Sequence, residues 1–142
     1  MHVRWFRLVI QVACVVFCGI GGSAHAATTN QWTGVAGDHD WFTAGNWSQG
    51  WAPANGEDVV IGGGASVFLT NTTAWLGSFT VSGAALAFTN SSWATELRAT
   101  NVIIAGGGVI THAFNTDTNS AGGWVPDNRV NLVCTNLFIA SG

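Results

Sequence analysis

Four short runs of one grammar govern what this chain can fold into. Val59-Val60-Ile61-Gly62 leads through a glycine-rich turn to Val67-Phe68-Leu69-Thr70. Phe79-Thr80-Val81-Ser82-Gly83 leads likewise to Leu86-Ala87-Phe88-Thr89, and Val102-Ile103-Ile104-Ala105-Gly106 to Val109-Ile110-Thr111. Leu137-Phe138-Ile139-Ala140-Ser141-Gly142 begins a fourth copy, and successive starts lie 20, 23 and 35 residues apart. β-Branched and aromatic runs broken by Gly, Asn and Ser are the mark of strands and turns, and no stretch has a sustained helical apolar period. An all-β chain follows. Two strands and a Gly turn per repeat of about 20–25 residues predict a parallel β-solenoid, whose coils hydrogen-bond to the copies above and below. Equivalent inward positions then stack Val on Val and Phe on Leu, while Asn and Thr serve the turns. The wide third interval predicts a loop near residues 115–128. The alternative reading is a small antiparallel β-sandwich with ordinary hairpins.

The first 26 residues have a different character. Arg4 and Arg7 precede an apolar run from Leu8 to Ile20, and Ala24-His25-Ala26 supplies a small-x-small cleavage site. This is the pattern of a secretory signal peptide cut after Ala26. The apolar run is shorter than the ~20 residues a spanning helix needs, so no membrane span is expected in the mature chain. Beyond residue 26 two cations, Arg98 and Arg129, face seven carboxylates, a formal net charge of −5. With no lysine anywhere, phosphate-loop and Schiff-base chemistry are excluded, and so is a basic nucleic-acid surface. Cys134 is the one cysteine left, so no internal disulfide can form; in the run Val130–Ile139 it reads as a small buried hydrophobe.

Residues 27–56 form a Trp-rich opening segment ahead of the coils of residues 57–142. Trp32, Trp41, Trp47 and Trp51 stand 9, 6 and 4 residues apart, which is not a helical spacing. Their simplest role is a cap folded over the apolar end of the first coil, which would otherwise expose core and unpaired edges. The functional alternative is a sugar platform, with Trp41, Trp47 and Trp51 as candidate glycan contacts. Trp32-Thr33-Gly34, Trp41, Asn46-Trp47, Gly50, Pro53 and Asp58-Val59-Val60 together resemble the start of bacterial secreted proteins with autotransporter-associated β-strand repeats. The stretch Asn128 to Leu137 is similar to recurrent stretches of large Gly-rich secreted bacterial proteins. The resemblance implies a right-handed parallel β-helix of the autotransporter-passenger or adhesin kind, and it supplies no catalytic residues to carry over.

The side chains able to do chemistry are few. Asp38, Asp40 and Asn46 offer the hard oxygens that calcium takes, and are weak calcium candidates against the plainer reading of a solvated turn. Zinc would have only His39, His112 and Cys134, without a recognisable ligand spacing. Glycoside hydrolysis needs two carboxylates across a cleft, and no spacing among Asp38, Asp40, Glu57, Asp58, Glu96, Asp117 and Asp127 selects a pair. Glu96 and Arg98, two apart on a strand, share a face and are expected to pair. No catalytic residue and no cofactor are assigned. The expectation is a non-catalytic secreted or cell-surface structural protein, adhesin-like, whose partners are surface glycans or other surface proteins. A carbohydrate-binding or carbohydrate-active β-helix is the alternative. With no closing cap after the fourth run, the chain reads as a fragment of a longer frame.

Overall fold

The computed structural model describes residues 28–90, 95–114, 118–123, 125 and 128–140. The leader, Asp117 and Asp127 lie outside the described residues. Eight strands follow in order: β1 (Thr29–Gln31), β2 (Asp58–Ile61), β3 (Ser66–Leu69), β4 (Leu76–Ser82), β5 (Ala85–Phe88), β6 (Leu97–Ala105), β7 (Val109–His112) and β8 (Leu132–Ile139). They form two sheets, ordered β1-β2-β4-β6-β8 and β3-β5-β7, so from β2 onward the chain alternates between sheets. Every strand pairing is parallel. The antiparallel ladders of a hairpin sandwich are not found among the described residues.

The repeat seen in the sequence is the pairing register. Val59 lies beside Phe79, Phe79 beside Val102 and Val102 beside Leu137. Ile61, Val81, Ile104 and Ile139 form a second such column. In the other sheet Val67, Leu86 and Ile110 line up, as do Leu69, Phe88 and His112. Alternation along each strand sends these positions inward, and Val59, Ile61, Val67, Leu69, Phe79, Val81, Leu86 and Val102 are fully buried. Each such side chain contributes about 1.5–3 kcal/mol by leaving water. The wide interval separates β7 from β8; of the expected loop near 115–128, residues 115–117, 124, 126 and 127 lie outside the described residues.

The two ends of this stack differ. At one end residues 28–51 complete both sheets. β1 pairs with β2, and the Trp32 N–H donates to the Val60 carbonyl at 2.9 Å. Residues His39 to Trp41 lie parallel to β3, with the Phe68 N–H donating to His39 O (2.8 Å) and the Trp41 N–H to Phe68 O (3.0 Å). Even the outer edge of β1 is covered, since the Ser48 N–H donates to Gln31 O at 2.8 Å. In β8 the inward columns reach solvent: Leu137 is 47% exposed and Ile139 69%. Cys134 is half-buried against the core rather than fully inside it. Glu96 and Arg98 pair as their spacing implied, with Arg98 Nε 2.6 Å from Glu96 Oε2.

Candidate functional site

The opening segment is built around two knots of hydrogen bonds. In the first, a short 3₁₀ turn at Ala44–Asn46 carries Asn46 inward, where it is fully buried. Its amide nitrogen donates to Asp38 Oδ1 (2.6 Å) and to the Asp40 carbonyl (3.1 Å), while its Oδ1 accepts the Ala36 N–H (3.0 Å). Asp38 also accepts the Asp40 N–H (3.0 Å) and the Thr43 hydroxyl (2.6 Å). The structure brings the calcium candidates Asp38, Asp40 and Asn46 together. The oxygens of Asp38 and Asn46 accept N–H and O–H donors of the same segment. Among the described residues no three His, Cys, Asp or Glu side chains are grouped as a metal site, and this includes His39, His112 and Cys134.

The Thr43 hydroxyl, then the Asp40 N–H and the Asn46 amide, hold the Asp38 carboxyl below the ordinary aspartate pKa. A carboxyl with a depressed folded-state pKa stabilises the fold above its unfolded pKa, and that stability is lost as pH falls through the folded value. The window therefore opens near pH ~4 and extends below it. Between pH 6 and pH 3 the thermal midpoint of the native chain is expected to fall further than that of Asp38→Asn, which lacks the titrating group. Parallel declines in the two proteins would remove Asp38 from the account.

The indoles are distributed unlike a sugar platform. Trp41 is fully buried and Trp47 is 3% exposed. They pack edge to face at 4.9 Å, with Trp32 edge to face on Trp47 at 5.0 Å and Phe79 tilted against Trp41 at 6.0 Å. Trp47 Nε1–H donates to the Trp41 carbonyl at 2.7 Å. Trp41 and Trp47 thus have no face to offer a glycan, because the first coil needs their bulk to fill its end. Of the three candidate glycan contacts only Trp51, 48% exposed, meets solvent.

Beside the cap lies an open cleft of about 440 Å³, walled by Gln31 to Gly34, His39 and the Gly62–Ala65 turn. His39 is the described non-glycine residue with positive φ (61°), and its Nδ1 sits 2.9 Å from the Ser66 carbonyl. A carbonyl only accepts, so Nδ1 carries the proton.

With this geometry in hand, comparison with known families is informative. Residues 46–120 match the family model of the G8 domain. That span is more than half of the chain. The chain belongs to the G8 domain family. No curated protein and no solved structure matches it.

The G8 span starts at the buried Asn46 and holds β2 through β7, so it takes in the paired repeats and leaves Asp38, His39 and Trp41 before it and β8 after it. The second knot lies inside the span. Glu57, 9% exposed, accepts Trp51 Nε1–H at Oε1 (2.9 Å), and at Oε2 the Ala54 N–H (3.1 Å) and the Asn30 amide (3.3 Å). Asn30 in turn donates to the Trp51 carbonyl at 3.0 Å. Sequence reasoning placed Glu57 only among seven carboxylates. The usable signal was its position three residues after Ala54 in the turn Ala54-Asn55-Gly56, from which a carboxylate reaches back to the turn's own amide. Trp75, 46% exposed, was also missed, because it lies outside the Trp-rich opening segment and the repeated runs.

Proposed function

We propose that the chain is a non-catalytic structural element of an exported protein: the sealed end and first coils of a right-handed parallel β-helix, secreted or displayed at the cell surface in the manner of adhesin-like autotransporter passengers. The observation that carries the reading is the built end of the stack: buried indoles and backbone hydrogen bonds of residues 28–51 close it, ahead of strands that pair in parallel, repeat upon repeat. The side chains of Asp38, Asn46 and Glu57, which chemistry could have used, hold backbone amides instead. No helix among the described residues is long and apolar enough to cross a membrane.

The export step is tested by expressing the full chain in a bacterium and sequencing the N-terminus of the product outside the inner membrane. The expected product begins at Ala27. Uncleaved chain confined to the cytoplasm would contradict export. A second reading, contact with surface glycans, is favoured by one feature: Trp51 is a solvent-facing indole whose orientation is fixed by a buried carboxylate.

A further inference from the structure

A second half-exposed indole, Trp75, is tied to the same turn as Trp51. Trp75 precedes β4, and since Leu76 points inward and is fully buried, the Trp75 side chain stands on the outer face, 46% exposed. Its main chain is fixed to the turn that anchors Trp51: the Trp75 N–H donates to Asn55 Oδ1 (2.8 Å) and its carbonyl accepts the Gly56 N–H (2.9 Å). The next residues approach this turn so closely that a Cβ on Gly77 would lie 2.8 Å from the Gly56 carbonyl oxygen. Leu76 pairs with Ala99, so Trp75 and Arg98 are the residues immediately before the first paired positions of neighbouring strands. Thr73 fastens that neighbour, its N–H donating to Glu96 O (3.0 Å) and its Oγ1 accepting the Arg98 N–H (2.9 Å).

We infer that Trp51, Trp75, Asn55 and the Glu96–Arg98 pair form one strip on the outer face of the five-stranded sheet that binds an uncharged polysaccharide chain. The inference rests on the glycan reading of Trp51 and extends it to a site. Single exposed indoles are ordinary, but two fixed on one turn form a preorganised surface that loses little side-chain freedom on binding. Their faces suit the C–H faces of pyranose rings, and Asn55, Glu96 and Arg98 supply donors and acceptors for hydroxyls. Charge selects the class of glycan. Glu96 pairs with Arg98 at 2.6 Å, and the other carboxyl groups beside the strip, Glu57 and Asp58, meet only neutral donors, so the strip offers no free positive charge, and the chain beyond residue 26 is at −5, which repels polyanions.

The test is affinity electrophoresis of the full chain through gels containing hydroxyethyl cellulose, galactomannan or polygalacturonate. At least one neutral polysaccharide is expected to retard the native chain and polygalacturonate is not. Trp51→Ala and Trp75→Ala should each weaken retardation roughly tenfold, the effect of losing one aromatic contact, while Trp75→Phe keeps most of it. Both indoles are half-exposed, so circular dichroism of the variants should match the native chain and separates lost binding from lost fold. If Trp51→Ala abolishes retardation and Trp75→Ala does not, glycan contact at Trp51 survives and the strip is overturned. If no neutral gel retards the chain, or polygalacturonate retards it most, the strip and its assigned ligand class both fall.

Discussion

Trp41→Ala is expected to lower stability by about 3–5 kcal/mol, the range for emptying a buried Trp site. The residue is fully buried and joins the cap to the first coils, lying edge to face with Trp47 and against Phe79. Its N–H donates to the Phe68 carbonyl beside the parallel bridge of Asp40 and Phe68, so the hole opens where the 39–41 segment is held to the edge of β3. Relaxation into the hole is restricted, because Trp47 is itself fixed through its indole N–H to the Trp41 carbonyl. Trp41 Nε1 is buried and finds no acceptor among the described residues, so Trp41→Phe forfeits no hydrogen bond and should cost much less. Phe42→Ala, at a 39% exposed neighbour, should stay within about 0.5 kcal/mol. Urea unfolding of the three variants checks the ranking. A Trp41→Ala midpoint equal to that of Phe42→Ala would mean that the opening segment does not close the core.

The second large effect is expected at a turn. Between β6 and β7 the chain reverses through Gly106, Gly107 and Gly108, with the Gly108 N–H donating to Ala105 O at 2.8 Å. A Cβ on Gly108 would run into the Val81 carbonyl oxygen, a backbone atom of the previous coil that cannot swing away. Gly108→Ala should therefore cost about 2–3 kcal/mol by forcing adjacent coils apart. Gly107 differs: its φ is 76° but nothing lies within 4 Å of an added Cβ. Gly107→Ala should cost only the left-handed backbone penalty of about 1 kcal/mol. Denaturant midpoints with unchanged slopes would give the comparison. Equal costs for both variants would show that coil-to-coil contact is not what excludes a side chain at Gly108.

These effects bear on what was legible beforehand. The inward columns were readable because Val59, Phe79, Val102 and Leu137 recur with the same flanking grammar, and a parallel register follows from recurrence. The salt bridge of Glu96 and Arg98 was readable because period-two geometry fixes it locally. Roles within the opening segment were not readable in the same way. Asp38, Asp40 and Asn46 could be grouped by proximity in the chain, yet whether an oxygen faces a cation or an N–H depends on where Ala36 and Thr43 fold. Likewise Trp41, Trp47 and Trp51 look equivalent as letters. Only the three-dimensional end of the first coil decides that two of them fill it and the third stays outside, held by Glu57. The exposure of Trp75 depended on the Ala54–Glu57 turn of the preceding coil, a contact 20 residues away in sequence.

The central claim is that residues 28–51 seal their end of this stack. Residue-resolved amide hydrogen exchange of the full chain tests it most directly, because exchange reads local opening amide by amide. The account predicts that the Trp32, Trp41 and Phe68 amides, which bridge the cap to β2 and β3, exchange as slowly as those of β4. The Ala140 amide, bonded to Ile104 O at 2.9 Å on an exposed residue, should exchange far faster. Rapid exchange at Trp32, Trp41 and Phe68 together with slow exchange along β8 would contradict it.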